Sequence, residues 1–97
     1  WNAKNGGKIF VDNFEEVNIY PNPCNEILTV LFSGNVVNQI DQIMVFNSIG
    51  QEVYHKDFNH VELKHFQINT ANLINGLYAL QVNTGLNIIE RKFVIQH

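Results

Sequence analysis

The histidines are the residues of this chain best suited to binding a metal ion. His55, His60 and His65 recur at intervals of five residues. On a β-strand, zinc prefers ligands two residues apart on one face, or pairs that face each other across a hairpin. An interval of five alternates faces, and no second ligand pair accompanies it. We therefore predict no metal site, and expect solvated histidines that make the surface more cationic in acid.

Hydroxyl and thiol groups are the next candidates, because hydrolytic catalysis needs a nucleophile oriented by a base. Ser33 and Ser48 both lie in turn-forming contexts, and Cys24 follows Pro23 directly, far in sequence from any histidine. Phosphate-binding glycine loops are missing, since Gly6-Gly7 does not stand between a strand and a helix. We predict a chain that is not an enzyme and carries no cofactor, with Cys24 as a small packed or partly exposed thiol.

Two binding alternatives stay open. Acidic residues near the start, such as Asp12, Glu15 and Glu16, lack the one-three-five spacing of a calcium loop, but strand ends of β-sandwiches are frequent calcium sites. Aromatic side chains would form a sugar-binding platform if three of them shared one exposed face. The candidates for that platform are Trp1, Phe14, Tyr20, Tyr54 and Phe58. A carbohydrate-binding or purely structural module of a secreted enzyme is therefore the alternative function.

The composition of the chain argues against two classes of function, nucleic-acid binding and membrane spanning. The chain has 97 residues, of which 15% are charged and 45% hydrophobic, with a net charge of −3. Six lysines and arginines, scattered along the chain, do not form the basic stripe of a nucleic-acid-binding protein. No apolar run approaches the length of about 18 residues needed to cross a bilayer. The chain starts at Trp1 without a signal-peptide pattern, and we expect a piece of a longer protein.

Short alternating apolar runs define the elements that must position these residues. Seven runs, separated by turn residues at intervals of roughly 8–12, predict an all-β fold, an immunoglobulin-like antiparallel sandwich of about seven strands. The runs centre on Val17 and Ile19; Leu28 to Phe32; Ile43 to Phe46; Val53; Phe66 and Ile68; Tyr78 to Val82; and Ile89 to Ile95. Residues 1–12 are predicted to be a linker or the end of a preceding domain, and residues 13–97 the sandwich.

Prolines and glycines lie between the predicted strands. Pro21 and Pro23, on either side of Asn22, fix two φ angles and remove two backbone donors, which predicts a stiff extended segment that discourages pairing at a sheet edge. Gly50 is expected at a tight turn with positive φ, and Gly76 follows Asn75 in a turn before the sixth strand. Edge protection and turn geometry are sufficient structural reasons for these residues.

The last two runs predict a hairpin that ends the chain. Alternation places Tyr78 and Phe93 in the core, together with their strand neighbours Leu80, Val82, Ile89 and Ile95. Lys92 then points outward. Arg91 falls on the inward phase, and we expect it at a strand end, where the Arg91-Lys92 pair is exposed.

Taken in order, these motifs resemble the C-terminal sorting domain of the type IX secretion system, type A of the Por family. The resemblance rests on Tyr20-Pro21-Asn22-Pro23, Leu28-Thr29-Val30, Val45 to Val53, Asn69 to Leu73, Asn75 to Tyr78 and Lys92-Phe93-Val94. It covers Val17 to Gln96. Each motif is weak alone, but the ordered set is specific.

The resemblance implies a non-catalytic signal that ends a secreted protein, recognised in the periplasm by components of an outer-membrane translocon. A surface sortase then commonly cleaves it, with anchoring or release of the cargo. By motif position the signal residues are Pro21, Asn22, Pro23, Gly50, Gly76, Tyr78, Arg91, Lys92 and Phe93. Arg91-Lys92 is the best contact candidate, and Cys24 is incidental.

Overall fold

The computed structural model describes residues 9–11, 17–33, 40–85 and 87–97. These residues form eight β-strands and no helix, and therefore no helix able to span a bilayer. The strands are β1 (Ile9–Val11), β2 (Val17–Tyr20), β3 (Ile27–Phe32), β4 (Ile40–Asn47), β5 (Glu52–Val61), β6 (His65–Asn69), β7 (Gly76–Thr84) and β8 (Asn87–Ile95).

Two sheets make an immunoglobulin-like sandwich, as the sequence predicts. One sheet has five strands in the order β1-β8-β7-β4-β5, and the other has three in the order β2-β3-β6. All seven predicted strands are present, and their pairing is antiparallel. The first predicted linker residues, Trp1 to Lys8, lie outside the described residues. Within the predicted linker, however, β1 pairs in parallel with β8.

The core forms where the alternating apolar residues of the two sheets meet. From Tyr78 to Thr84 and from Ile89 to Ile95, every second side chain is buried except Arg91, because successive residues of a strand point to opposite faces. The fully buried large side chains are Phe93, Leu28, Ile40, Ile43, Ile68, Leu80, Ile89, Ile95, Val17, Val30, Val45 and Val82. No disulfide contributes, since Cys24 is a free buried thiol, so packing of this layer dominates stability.

Two connections differ in how well the sequence describes them. The sequence of Asn69 to Leu73 favours one helical turn with Leu73 in the core. The structure has a turn there, with the Leu73 amide donating to Thr70 O at 3.1 Å and Leu73 packed against the core. The expectation of a stiff extended proline segment is wrong. Pro21 to Pro23 forms consecutive bends after β2, and both prolyl peptide bonds are cis. The bends carry the chain across to the last strand instead of straight into β3.

Candidate recognition site at the terminal hairpin

The proline segment contacts the end of the chain. Asn22 Oδ1 accepts a hydrogen bond from the Val94 amide at 3.0 Å. The Cys24 amide donates to Val94 O at 2.8 Å, and the Gln96 amide donates to Cys24 O at 2.8 Å, which forms a parallel bridge between Cys24 and Ile95. We call these contacts between residues 22–25 and 94–97 the terminal seam. Because β7 pairs with the other edge of β8, Ile95 has backbone partners on both sides.

The last residue extends the terminal seam to the loop before β7. The His97 amide donates to Asn75 Oδ1 at 3.0 Å, and His97 Nε2 donates to Leu73 O at 2.6 Å. His97 Nδ1 lies 2.7 Å from Asn25 Oδ1. His97 therefore contacts both the loop before β7 and the segment that follows the prolines.

A buried threonine supports the terminal seam from below. Thr70 is fully buried; its amide donates to Glu26 O at 2.7 Å and its hydroxyl to Asn25 O at 3.1 Å. The Cys24 Sγ lies 3.8 Å from the Thr70 hydroxyl. A buried polar group is stabilising only when its hydrogen bonds are made, and here they are. Thr70 thus fixes the backbone that presents Asn22 and Cys24 to β8.

Tyr78 and Phe93 form the inner anchor of the terminal hairpin. They are opposite each other in the β7–β8 register, both buried, with stacked rings 5.7 Å apart. The Tyr78 hydroxyl donates to Ile74 O at 2.6 Å, which satisfies its polar end and ties down the preceding loop. Both side chains hold the fold and expose 4% or less of their surface.

Arg91 differs from its sequence expectation in two respects. It lies in the middle of β8, not at a strand end, and it is half-buried instead of exposed. Its Nε donates to Val17 O at 3.1 Å, and its Nη1 donates to Glu90 O at 2.9 Å. The guanidinium therefore satisfies its inward position by reaching a backbone carbonyl of the opposite sheet. Arg91 links β8 to β2.

Lys92 is exposed on the outer face, as the alternation predicts. It is opposite Ala79 in the register, and Leu77 and Val94 form the next row of the same face, both partly exposed. Within the part of the chain that the structure describes, the Lys92 ammonium has no hydrogen bond or ion pair. Of the basic pair, Lys92 alone remains available for a partner.

The two glycines that are predicted as signal residues have different surroundings. Gly50 has a φ of +83° and closes the β4–β5 turn, where its amide donates to Asn47 O at 3.0 Å. Asn47 Oδ1 also accepts from the amides of Ile49 and Gln51. Gly76 is the first residue of β7, opposite Ile95, and a Cβ there would meet only the Tyr78 ring at 3.9 Å. The structure brings Gly76 to the terminal hairpin and leaves Gly50 at the neighbouring turn.

The catalytic and metal-binding candidates do not assemble into a site. His55 contacts two carboxylates, Asp57 at 2.6 Å and Glu52 at 3.2 Å, on the exposed face of β5. These bonds, Asp57 first, raise the pKa of His55, and the bonds from His55 and Gln42 lower the pKa of Asp57. In the described ranges no group of three or more metal-ligating side chains is arranged for an ion. Asp12, Glu15 and Glu16, the acidic candidates, lie outside those ranges.

The aromatic platform does not form from the described candidates. Tyr54 and Phe58 pack on either side of Phe66, with ring centroids 6.5 and 5.5 Å from it, and all three are partly buried against the core. Burial also raises the pKa of the Tyr54 hydroxyl. Tyr20 is exposed at the end of β2, in the other sheet. Trp1 and Phe14 lie outside the described residues.

Fold and site together define a class of protein: a β-sandwich domain whose terminal strand is held in place by a proline motif near its beginning. A family model described as "Secretion system C-terminal sorting domain" matches residues 18–96. The chain belongs to this family, the C-terminal sorting domains of type IX secretion. No curated protein gives a significant sequence match.

Solved structures support the fold alone, because sequence identities are low. A DUF3244 family protein from Bacteroides vulgatus with an immunoglobulin-like β-sandwich fold has a TM-score of 0.69 at 17% identity, covering 84% of this chain and 85% of that one. The sulfur carrier protein SoxY from Chlorobium limicola has a TM-score of 0.63 at 15% identity, with coverages of 97% and 88%. The CBM51-2 and INT domains of Clostridium perfringens ZmpB have a TM-score of 0.52 at 17% identity, covering 90% of this chain and 18% of that one.

Sequence reasoning missed several residues of the terminal seam. Cys24 was predicted to be incidental, yet its backbone makes two of the hydrogen bonds that hold β8. Asn25 and His97 are not among the predicted residues, and Asn75 is predicted only as a turn residue, although all three hold the last residues of the structure in place. One signal is present in the sequence: Asn22 stands between two prolines and Asn75 precedes a glycine, a context in which side-chain oxygens often accept backbone hydrogen bonds.

Proposed function

We propose that this domain is the sorting signal for an upstream cargo, which it directs across the outer membrane through the type IX secretion system. Membership of the sorting-domain family supports the general role. The observation that carries the finer proposal is the terminal seam, because a proline motif near the start and the last residues of the chain form one structure. The domain itself performs no catalysis in this proposal.

The proposed partners are protein components of the translocon, which bind the domain in the periplasm through its terminal hairpin. A sortase then removes the domain, and the cargo is anchored at the cell surface or released. Inward residues such as Phe93 hold the hairpin in shape, and the outward Lys92 contacts the machinery. This division follows from burial: a partner reaches only what the folded domain leaves exposed.

Fusion of the domain to a periplasm-targeted reporter tests the proposal in a bacterium that has the pathway. The intact fusion is expected in the medium or on the cell surface. Deletion of Phe93 to His97 removes the terminal seam, and the reporter is expected to stay in the periplasm. The reporter without any domain serves as the baseline. Equally efficient secretion of the truncated fusion would contradict the proposal.

A further inference from the structure

A groove opens beside the terminal hairpin, between the β4–β5 turn and the loop before β7. Its main cavity has a volume of about 410 Å³, and a smaller one of about 170 Å³ adjoins it. The two cavities share Asn47, Ser48, Leu77 and Tyr78, and the smaller one reaches Lys92. We call this surface the end groove. Its size is that of a site for a few side chains of a partner.

Both walls of the end groove are fixed without a partner. The turn wall is held by Asn47, whose side chain accepts the Ile49 and Gln51 amides at 3.2 and 2.9 Å. The loop wall is held by two residues. The Tyr78 hydroxyl donates to Ile74 O, and His97 donates from its Nε2 to Leu73 O and from its amide to Asn75 Oδ1. Binding to a preformed surface avoids the entropy of ordering it.

The rim of the end groove carries the two most exposed large aliphatic side chains of the described residues. Ile49 has 83% of its surface exposed and Ile74 has 80%, one on each wall, with Leu77 at 49% between them. A single exposed isoleucine is ordinary, but several aliphatic side chains around one cavity mark an interaction surface. The fold does not require these side chains, because neither isoleucine packs against the core.

The charged residue that lines the end groove is a cation, Lys92. Every residue that lines the main cavity is neutral, and Lys92 is the single charged residue of the adjoining cavity. Glu90 lies two residues away on the same face, but its carboxylate accepts from Gln81 Nε2 at 3.2 Å and makes no ion pair with Lys92. An unpaired cation beside apolar surface complements a carboxylate flanked by apolar groups.

We propose that the end groove is the docking surface for a segment of a protein partner that presents aliphatic side chains and one carboxylate. The aliphatic side chains contact Ile49, Ile74 and Leu77, and the carboxylate pairs with Lys92. This inference rests on the proposed sorting function, since the partner belongs to the export machinery. It adds a contact role for Ile49, Ile74 and Leu77, which the motif match alone does not assign, and the chemistry of the partner.

The reporter fusion again supplies the test. One variant carries Ile49→Asn with Ile74→Asn, a second carries Lys92→Glu, and a third carries Lys92→Arg. The first two are expected to lower the secreted fraction about tenfold, which corresponds to about 1.4 kcal/mol of binding free energy, because they replace the contacts proposed to dominate binding. Lys92→Arg retains the charge and is expected to secrete like the parent domain.

A matched control pair lies on the other sheet. Ile27 and Leu31 are exposed aliphatic residues of β3, at 46% and 39%, and neither of them lines the end groove. The pair Ile27→Asn with Leu31→Asn is expected to leave secretion unchanged. Thermal unfolding of each purified domain verifies folding; if the Ile49 and Ile74 pair lowers the midpoint, Ile49→Ala with Ile74→Ala replaces it.

Each outcome decides between the two proposals. Normal secretion of the end-groove variants, with the Phe93 to His97 deletion retained in the periplasm, overturns the docking surface and leaves the sorting function standing. Equal losses in end-groove and control pairs also overturn the docking surface. Secretion of the deletion itself overturns the sorting proposal. Loss confined to the end-groove variants, with rescue by Lys92→Arg, supports the docking surface.

Discussion

The β4–β5 turn and the terminal strand both carry predicted signal residues, but they are built in opposite ways. The turn is local: the Asn47 side chain accepts amides two and four residues away. The terminal strand is non-local: Asn22 and Val94 are 72 residues apart, and so are Asn25 and His97. Arg91 and Val17 are separated by 74 residues.

This difference determines when each element can exist. The contacts of the turn require only residues 47–51. The terminal seam requires that nearly the whole chain be closed, and loop-closure entropy opposes such contacts until the surrounding core forms. The terminal hairpin in this arrangement therefore exists only in the folded domain, whereas the contacts of the turn do not depend on the rest of the fold.

The largest effect is expected where the terminal strand enters the core. Phe93→Ala removes a buried ring stacked on Tyr78, and we expect the free energy of unfolding to fall by about 3–5 kcal/mol. Val94→Ala, at the adjacent partly exposed position, is the control and should lower it by no more than about 1 kcal/mol. Urea unfolding measures both. Similar losses at the two positions would refute the inward anchoring of β8.

A smaller effect is expected at the local element. Gly50 has a φ of +83°, and a Cβ there would meet nothing within 4 Å, so an alanine is disfavoured by backbone conformation alone. Gly50→Ala should lower the free energy of unfolding by about 1–2 kcal/mol, and Gly50→Asn by less, because asparagine tolerates this conformation. A loss as large for asparagine as for alanine would point to a different cause.

A substitution of Asn22, an exposed asparagine, tests the terminal seam. Asn22→Ala removes the acceptor of the Val94 amide and should lower the free energy of unfolding by about 0.5–1.5 kcal/mol. Asn22→Asp keeps an acceptor oxygen and should retain most of the contribution of this hydrogen bond to the free energy of unfolding. Asn72→Ala, at an exposed asparagine outside the terminal seam, is the neutral control.

Hydrogen exchange separates the two elements directly. Asn22→Ala should accelerate exchange of the Val94 amide more than that of the Gly50 amide, because the lost bond is at the terminal seam. Gly50→Ala should do the reverse. Uniform acceleration in both variants would show that the β4–β5 turn and the terminal seam open together. The two elements would then not be independent of each other.

The sequence predicted the features that depend on neighbours along the chain. Alternation located all seven predicted strands and the inward side chains of Tyr78 and Phe93, because a strand has a side-chain period of two. The positive φ of Gly50 followed from the tight turn between strands. These are local properties, and a single sequence contains them.

Features that depend on distant partners were not predicted. Arg91 occupies an inward position because Val17 O from the other sheet accepts its bond, and nothing near Arg91 in sequence indicates that acceptor. The parallel pairing of β1 with β8 fell in a segment predicted as linker. Cys24 was treated as incidental because its contribution comes from its backbone, which the residue type does not reveal.

The smallest effect concerns a second local cluster, His55 between Asp57 and Glu52. The pKa of His55 is raised by its hydrogen bonds to these carboxylates, so its contribution to stability is present below its ordinary value of 6.5 and is lost as the pH rises through the raised value. The pKa of Asp57 is lowered by its hydrogen bond from His55 first, so its contribution is present above 3.8 and is lost as the pH falls through the lowered value. The cluster therefore stabilises the fold most between pH 3.8 and 6.5.

Unfolding in urea at pH 5 and pH 8, for the parent domain and His55→Gln, isolates that contribution from the other histidines. The parent should lose more stability than the variant on going from pH 5 to pH 8, and the difference should be small because solvent screens exposed ion pairs. Added salt should reduce it further. An identical pH dependence in both proteins would show that the cluster contributes nothing. Since all its contacts lie within β4 and β5, the change should leave the exchange of the Val94 amide as it is in the parent.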